Sequence, residues 1–266
     1  MKNISWYSKN VLRETYIEEL FNNLNVNCDV YVISTHPNEL HLFNLKDDGK
    51  PKIVFDLNNE WHQDIFYHDR DDVLLILKEY APKNLQRYKK VKPIPPIFNY
   101  GNWSGKTKTI EEKTSLFFSS MGFWPSRKKL KDVLSRYDNV DGFDIHWTKK
   151  FNTGFSYSEY MEHLTNSLIS VSPQGYITIE TSRTWELIIA KTIPICKKQI
   201  PYWYYQGMKL FEYKDESEIP EIIEHIISLD PKEQQSIVDL NKKVFEENVS
   251  PKAMASWIEN KLKDIS

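Results

Sequence analysis

The stretch Leu168–Lys197 has the sequence LISVSPQGYITIETSRTWELIIAKTIPICK. Its apolar start, LISV, predicts a buried strand. Residues Ser172–Gly175 end that strand, because proline has no amide donor and glycine accepts positive φ. The apolar residues Trp185 and 187–190 predict a helix, and Thr192–Cys196 predict the next strand. The stretch is therefore expected to be a strand–helix–strand unit of a parallel sheet, with its helix starting at the carboxyl end of the strands.

The start of this helix predicts an anion-binding site. Thr181 or Ser182 is expected to cap the helix, with Glu186 near capping-box distance, and unpaired amides at such a position attract anions. Arg183 is unfavourable there for the helix dipole, so its presence indicates a bound anion, and its guanidinium matches phosphate oxygens. Glu186 is then placed to accept hydrogen bonds from sugar hydroxyls. The residues also leave open an exposed Arg183–Glu186 pair at i, i+3, with Ser182 only a cap.

Three short motifs in this stretch resemble a known family signature. They are Ser172-Pro173-x-Gly175, Ser182-Arg183-x-Trp185-Glu186 and Ile193-Pro194-Ile195. Together they resemble the C-terminal signature of exostosin-like glycosyltransferases, and they are also similar to a related group of bacterial and viral glycosyltransferases. The chain departs from that pattern at Tyr176-Ile177, where members often have glycine or Asn-Gly, and at Lys191, which is often glycine. These departures concern which sugar is bound more than whether a nucleotide sugar is bound.

The resemblance implies a GT-B fold and a nucleotide-diphosphate sugar as donor. Gly122 resembles the glycine of the first strand–helix turn, which approaches the donor in this family. Arg127 could share the diphosphate with Arg183, although Ser126–Lys129 could equally be an exposed basic helix start. The donor-binding residues expected on this basis are Gly122, Arg127, Ser172, Pro173, Gly175, Ser182, Arg183 and Glu186. No metal and no further cofactor are expected, because arginines and a helix N-terminus neutralise the leaving diphosphate.

Composition indicates a globular protein with a sizeable core. Its 266 residues suit one large domain or two smaller ones, and 40% hydrophobic residues with 14% aromatics allow a sizeable core. A net charge of -2 argues against a general nucleic-acid or membrane binder. The two cysteines, Cys28 and Cys196, each lie in an apolar run and are expected to be buried reduced thiols. The N-terminal MKNISWYSKN lacks the apolar core of a signal sequence, so a cytoplasmic protein is expected.

Alternating strand and helix patterns predict an α/β fold of two Rossmann-like domains with parallel sheets. The stretch Lys92–Gly105, KPIPPIFNYGNWSG, predicts a linker, so we expect an acceptor-side domain over residues 1–98 and a donor-binding domain over residues 106–266. Residues 72–80 fit either a strand or a helix. The last part of the chain predicts a helical tail, with helices over residues 219–228, 231–247 and 251–263.

Polar residues at predicted strand ends of the N-terminal half are the candidate catalytic groups. An inverting transfer needs a base for the acceptor hydroxyl, and Asp56 and Glu60 are the residues expected to supply it. A lone aspartate at a strand end is also commonly a turn cap. The cluster His62, His68, Asp69, Asp71 and Asp72 matches no standard metal spacing and predicts a polar loop.

The combined prediction is a metal-independent, inverting glycosyltransferase that acts on a glycan or another hydroxyl acceptor. Neither a nucleic-acid partner nor a membrane span is expected. Two alternatives stay open. One is another nucleotide-dependent α/β transferase, against which no G-x-x-x-x-G-K-[ST] loop occurs. The other is a non-catalytic module that binds a nucleotide sugar or a glycan. The aromatic run Tyr202–Tyr205 could stack on a sugar or pack the tail helices onto the domain.

Overall fold

A computed structural model gives the fold and describes residues 4–7, 11–33, 45–57, 67, 69–79, 81, 88–96, 105–149, 153–175 and 179–264. The chain divides into two compact units, of which the first is Met1–Gly101 with Glu247–Ser266 and the second is Asn102–Glu246. The division after residue 101 falls within the proline-rich stretch 92–105. The return of the chain to the first unit at Glu247 was not expected from the sequence.

The first unit contains a parallel sheet of five strands in the order β1-β2-β3-β4-β5. Its elements are β1 (Ile4–Tyr7), α1 (Val11–Asn23), β2 (Asp29–Ile33), β3 (Lys52–Asp56), β4 (Val73–Glu79) and β5 (Val91–Ile94). Every residue of β3 is buried, as expected for a central strand of a sheet that is covered on both faces. The ambiguous residues 72–80 form a strand. The predicted linker is partly wrong, because its first residues belong to β5.

The second unit contains another parallel sheet of five strands, in the order β10-β9-β8-β6-β7. Its elements are β6 (Ser115–Gly122), α2 (Lys128–Leu134), β7 (Phe143–Thr148), α3 (Tyr157–Asn166), β8 (Ser167–Ser172), α4 (Arg183–Ile189), β9 (Ile193–Lys197), β10 (Phe211–Tyr213), α5 (Ile219–Ser228) and α6 (Pro231–Asn248). Short 3₁₀ turns flank α2, so the helix predicted over residues 126–137 is α-helical only in its middle. The predicted α/β class with two parallel sheets is confirmed.

The last helix, α7 (Pro251–Lys263), belongs to the first unit, contrary to the predicted donor-binding domain of residues 106–266. It lies against α1, and the Tyr16 hydroxyl of α1 donates to the carbonyl of Val249 just before α7. Glu259 accepts a hydrogen bond of 2.6 Å from the amide of Asn25. An amphipathic pattern shows that a helix has an apolar face to bury, but it does not show which core receives that face.

The second sheet has its topological switch point between β6 and β8. From β6 the chain moves to one side to form β7, and it then returns to the other side of β6 to form β8. In open α/β sheets, ligands bind outside the carboxyl ends of the strands at such a point. The ends of β6 and β8, at Gly122 and Ser172, are therefore where a ligand site is expected.

A largely buried cluster of charged side chains lies where strands β3 and β4 of the first sheet begin. The side chain of Lys52, fully buried, donates to Asp48 at 2.8 Å and to Asp72 at 2.7 Å. Arg70 makes two further bonds to Asp72, of 2.8 and 2.7 Å. These cations hold the pKa of the Asp72 carboxyl well below its usual range. Asp72, predicted to be part of a polar loop, is thus a structural ion-pair partner, whereas His62 and His68 lie outside the described residues.

Asp72→Asn is expected to lower the free energy of unfolding at pH 7 by about 1–3 kcal/mol, because it removes charge-assisted bonds to Arg70 and Lys52. The folded pKa of Asp72 is depressed, so this contribution is fully present above the unfolded pKa of about 4 and is lost as the pH falls below it. Urea denaturation between pH 7 and pH 2 measures the effect. Asp71→Asn, at the exposed neighbouring position, is the control. If the Asp72→Asn variant has the same loss in free energy of unfolding at pH 7 and at pH 2.5, Asp72 does not stabilise the fold through its charge.

Candidate functional site

Arg127 joins the ends of β6 and β8 at the switch point. Its guanidinium donates to the Gly122 carbonyl at 3.0 Å and to the Gln174 carbonyl at 3.2 and 2.8 Å. Burial, and after it the nearby charge of Arg183, lowers the pKa of Arg127 to about 10. The side chain is therefore fixed by the fold and is not simply part of an exposed basic helix start. It brings a second positive charge close to Arg183.

Ser172 links the end of β8 to the start of α4. Its hydroxyl lies 2.9 Å from the hydroxyl of Thr181 and 2.9 Å from that of Thr184, and it is almost fully buried. These contacts hold the helix start against the strand. Ser172 was expected to bind the donor, but its contacts with Thr181 and Thr184 show that it supports the start of α4. Pro173 and Gly175 follow directly, and residues 176–178 lie outside the described chain.

The predicted capping of α4 is wrong. Ser182 occupies the N-cap position, but its backbone is helical, with φ -55° and ψ -24°, and its side chain makes no cap hydrogen bond. The hydroxyl of Thr181 is directed to Ser172 instead. The helix has only seven residues, so its dipole adds little to anion binding. The charge of the site therefore comes from arginine side chains.

Arg183 carries two hydrogen-bond donors that have no partner. Its Nε and Nη1 atoms are buried, and neither is bonded to another atom of the described chain. The guanidinium carbon lies 5.5 Å from the centre of the Tyr160 ring, within range of a cation–π contact. The alternative of an exposed Arg183–Glu186 pair is not what the described residues show, since both side chains are partly buried and form no ion pair.

The carboxyl of Glu186 lies among two tyrosines and Arg183. Burial raises its pKa, while the nearby positive charge of Arg183 acts in the opposite direction. The pKa values of Tyr157 and Tyr160 are raised by their burial and by the nearby Glu186. Tyr157 and Tyr160 of α3 therefore lie near Glu186 of α4, and Tyr160 and Glu186 lie near Arg183. The arrangement offers a carboxylate acceptor beside unpaired guanidinium donors.

Asp56 ends β3 as expected, but it is held in a buried ion pair. Its Oδ1 atom accepts a bond of 2.9 Å from Lys78, and its Oδ2 atom accepts one of 2.8 Å from the Tyr67 hydroxyl. Lys78 is its direct partner on β4, and both side chains are at most 8% exposed. This environment suits a structural ion pair, and the role of Asp56 as base stays a prediction. Glu60 lies outside the described residues.

Two tyrosines of the aromatic run 202–205 pack inside the second unit. Tyr205 stacks on the fully buried Trp185 of α4, with ring centres 5.0 Å apart, and Tyr204 meets the same ring edge to face at 5.9 Å. Trp185 also contacts Phe245 of α6 at 6.5 Å. Of the two interpretations of this run, packing is therefore the one that holds for Tyr204 and Tyr205.

Among the described residues, no group of three or more histidines, cysteines, aspartates and glutamates is arranged to hold a metal ion. Within the same parts of the chain, no helix combines the length and apolar character needed to cross a bilayer. Cys196 is buried, as expected, whereas Cys28 is only partly buried, and neither forms a disulfide.

Comparison with solved structures identifies the architecture. No protein-family model matches the sequence, and no curated protein matches it. An α1,3-fucosyltransferase superposes with a TM-score of 0.53 at 12% identity, covering 100% of this chain and 91% of the other. T4 phage β-glucosyltransferase superposes with a TM-score of 0.53 at 10% sequence identity, and the match covers 99% of this chain and 100% of the other. Anabaena HepE, crystallised with UDP and glucose, superposes with a TM-score of 0.52 at 9% identity, and the match covers 89% of this chain and 78% of the other. The chain has the GT-B fold.

Within this GT-B fold, the expected donor residues Gly122, Arg127, Ser172, Arg183 and Glu186 all lie at one carboxyl edge of the second sheet. Tyr157 and Tyr160 were not predicted as site residues, because their only sequence signal is a tyrosine pair at i, i+3 in the first turns of a predicted helix. Glu180, the acidic residue shortly before the arginine motif, was not predicted either. At sequence identities of 9–12%, the similarity to these solved structures concerns the fold alone, so the exostosin-like resemblance stays a prediction.

Proposed function

We propose that this protein is a glycosyltransferase that moves a sugar from a nucleotide-diphosphate sugar to a hydroxyl acceptor. The observation that carries the proposal is that two buried donors of Arg183, Nε and Nη1, have no hydrogen-bond partner in the described residues and lie close to the charge of Arg127. Neither arginine forms an ion pair within the described residues. Buried donors without partners cost about 1–3 kcal/mol each, so the site favours a ligand rich in acceptor oxygens. A diphosphate at the switch point meets that requirement.

The proposed chemistry follows from where charge develops. As the glycosidic bond to the diphosphate breaks, negative charge grows on the leaving oxygen, and Arg183 stabilises it more strongly than in the ground state. Two arginines supply this stabilisation without a metal ion. Glu186 is proposed to accept hydrogen bonds from ribose hydroxyls. A base of the first unit, Asp56 or Glu60, is proposed to take the acceptor proton in a single inverting displacement.

The exostosin-like family is the finer assignment that we propose on the three sequence motifs. A glycan is the proposed acceptor and the cytoplasm the proposed location, with no nucleic-acid partner. A non-catalytic nucleotide-sugar-binding module is the second candidate, favoured by the burial of Asp56 in its ion pair with Lys78. Turnover separates the two, because a binding module holds the donor without cleaving it.

Calorimetric titration with UDP, GDP and CMP, followed by transfer assays with the corresponding nucleotide sugars, tests the proposal. We expect one nucleotide diphosphate to bind, and its sugar to be consumed in the presence of EDTA. Loss of all turnover in EDTA with recovery on adding manganese would contradict metal independence. Binding of the donor with no transfer or hydrolysis would favour the binding module, and binding of none of the nucleotides would contradict both.

Glu186→Gln is expected to raise KM for the donor about tenfold or more and to leave kcat nearly unchanged, because the ribose lies away from the breaking bond. Steady-state kinetics with varied donor concentration measures both constants. Glu224→Gln, at an exposed position of α5, is the matched control and should change neither constant. An equal fall in kcat and kcat/KM would instead place Glu186 next to the reacting atoms.

A further inference from the structure

The segment before α4 contains a buried carboxylate that the proposed chemistry does not use. Glu180 is only 3% exposed and lies three residues before Arg183. Its carboxylate accepts bonds of 2.9 and 3.1 Å from the Tyr204 hydroxyl and one of 2.8 Å from the Tyr205 hydroxyl. A carboxylate is buried at this depth only when donors compensate its lost hydration, so these phenols fix where Glu180 lies.

The same two tyrosines also contact the chain just after Arg183. Their rings pack on Trp185, which follows Arg183 by two residues and is fully buried. Tyr204 and Tyr205 therefore contact the chain on both sides of the arginine, through their hydroxyls before it and through their rings after it. Residues 179–182 form neither helix nor strand, so side-chain contacts have to set the direction in which the chain enters α4.

We propose that Glu180, held by the hydroxyls of Tyr204 and Tyr205, is a positioning group for Arg183 in donor binding. The inference rests on the proposed function, since it assigns these residues to the diphosphate site. Both phenols stay protonated donors at working pH, because burial and the nearby Glu180 raise their pKa values well above the usual range. Losing the donors would drive the carboxylate towards water and move the segment that carries Arg183.

Nucleotide affinity of phenylalanine variants tests this role. In Tyr204→Phe/Tyr205→Phe the ring contacts with Trp185 remain, while both hydroxyl donors are lost. We expect its dissociation constant for UDP or GDP, whichever the wild type binds, to rise about tenfold to a hundredfold, as for other small displacements of a binding group. In an Arg183→Ala background the same pair of changes should alter affinity less than about threefold, because the group being positioned is gone.

A control and a second variant separate this role from general stability. Tyr16→Phe removes a buried phenol donor from the first unit and should leave nucleotide affinity unchanged. If the double phenylalanine variant does not fold by circular dichroism, Glu180→Gln, which keeps the shape of the side chain, is measured in the same two backgrounds with the same expectation.

The outcomes distinguish the positioning role from the proposed function. Wild-type protein that binds neither nucleotide overturns the proposed function and this inference together. If wild type binds and Arg183→Ala weakens binding while the Glu180, Tyr204 and Tyr205 variants bind normally, only the positioning role is overturned. An equally large loss in the Arg183→Ala background also overturns it, because Glu180 would then act independently of Arg183.

Discussion

Replacing Arg183 by alanine should remove about 2–4 kcal/mol of transition-state stabilisation, measured from the fall in kcat/KM for the donor, and kcat should fall as well as donor affinity. The physical reason is that its buried Nε and Nη1 donors have no partner in the described chain and, in the proposed reaction, would bind a leaving group whose charge grows. Arg183→Lys should recover little of the loss, because one ammonium cannot bridge two phosphate oxygens. Steady-state kinetics with the nucleotide sugar identified by calorimetry gives both constants.

The matched control is Arg136→Ala, which removes an exposed arginine of the same unit and should leave both constants unchanged. Circular dichroism and thermal denaturation establish that each variant is folded. Near wild-type turnover and donor affinity in a folded Arg183→Ala protein would remove the basis of the proposed site. A rise in KM with unchanged kcat would keep Arg183 in the site but would assign it to ground-state binding alone.

Lys78→Met should destabilise the protein by about 3–5 kcal/mol, the second large effect we expect. It leaves the carboxylate of Asp56 buried without the positive charge of Lys78, and the loss of one partner of a buried ion pair costs more than the pair contributes. The double change Asp56→Leu/Lys78→Met should recover most of this loss, because apolar side chains suit the buried position. Urea denaturation measures all three proteins. Lys128→Met, which breaks an exposed pair with Asp132 at 72% and 59% exposure, should have little effect.

The stable double variant also tests whether Asp56 is the base. If Asp56 has only the structural role that its contacts with Lys78 and Tyr67 indicate, the double variant should keep its transfer activity. If Asp56 removes the acceptor proton, the double variant should be folded, should bind the nucleotide and should have lost turnover. Unchanged stability of Lys78→Met would contradict the buried ion pair itself.

Local signals in the sequence determined most of the elements around the candidate site. The apolar run before Ser172, the proline and glycine that follow it, and the apolar body of the next helix each limit the backbone within a few residues. Strand β8, helix α4 and strand β9 could therefore be predicted in order. Arg183 was identified for a related reason, because a cation in the first turn of a helix opposes the dipole unless an anion is present.

Tertiary structure decided the elements whose local patterns are ambiguous. Residues 72–80 are an apolar run that fits a buried helix or a buried strand equally, and only pairing with β3 and β5 makes them β4. Pro93 lies within β5 although proline usually interrupts a strand, because β5 is at the edge of its sheet, where a missing amide donor is tolerated.

The hydrogen-bond partners and the burial of the site residues likewise could not be predicted from the sequence. The spacing of Ser182 and Glu186 predicted a capping box, yet the hydroxyl groups near the helix start bond to Ser172 across the fold. Only three-dimensional packing shows that Arg183 has unpaired donors, that Asp56 is neutralised by Lys78 and that Glu180 is held by two phenols. Sequence determines which residue types stand at the strand ends, whereas burial and partners, which come from distant parts of the chain, decide what those residues can do.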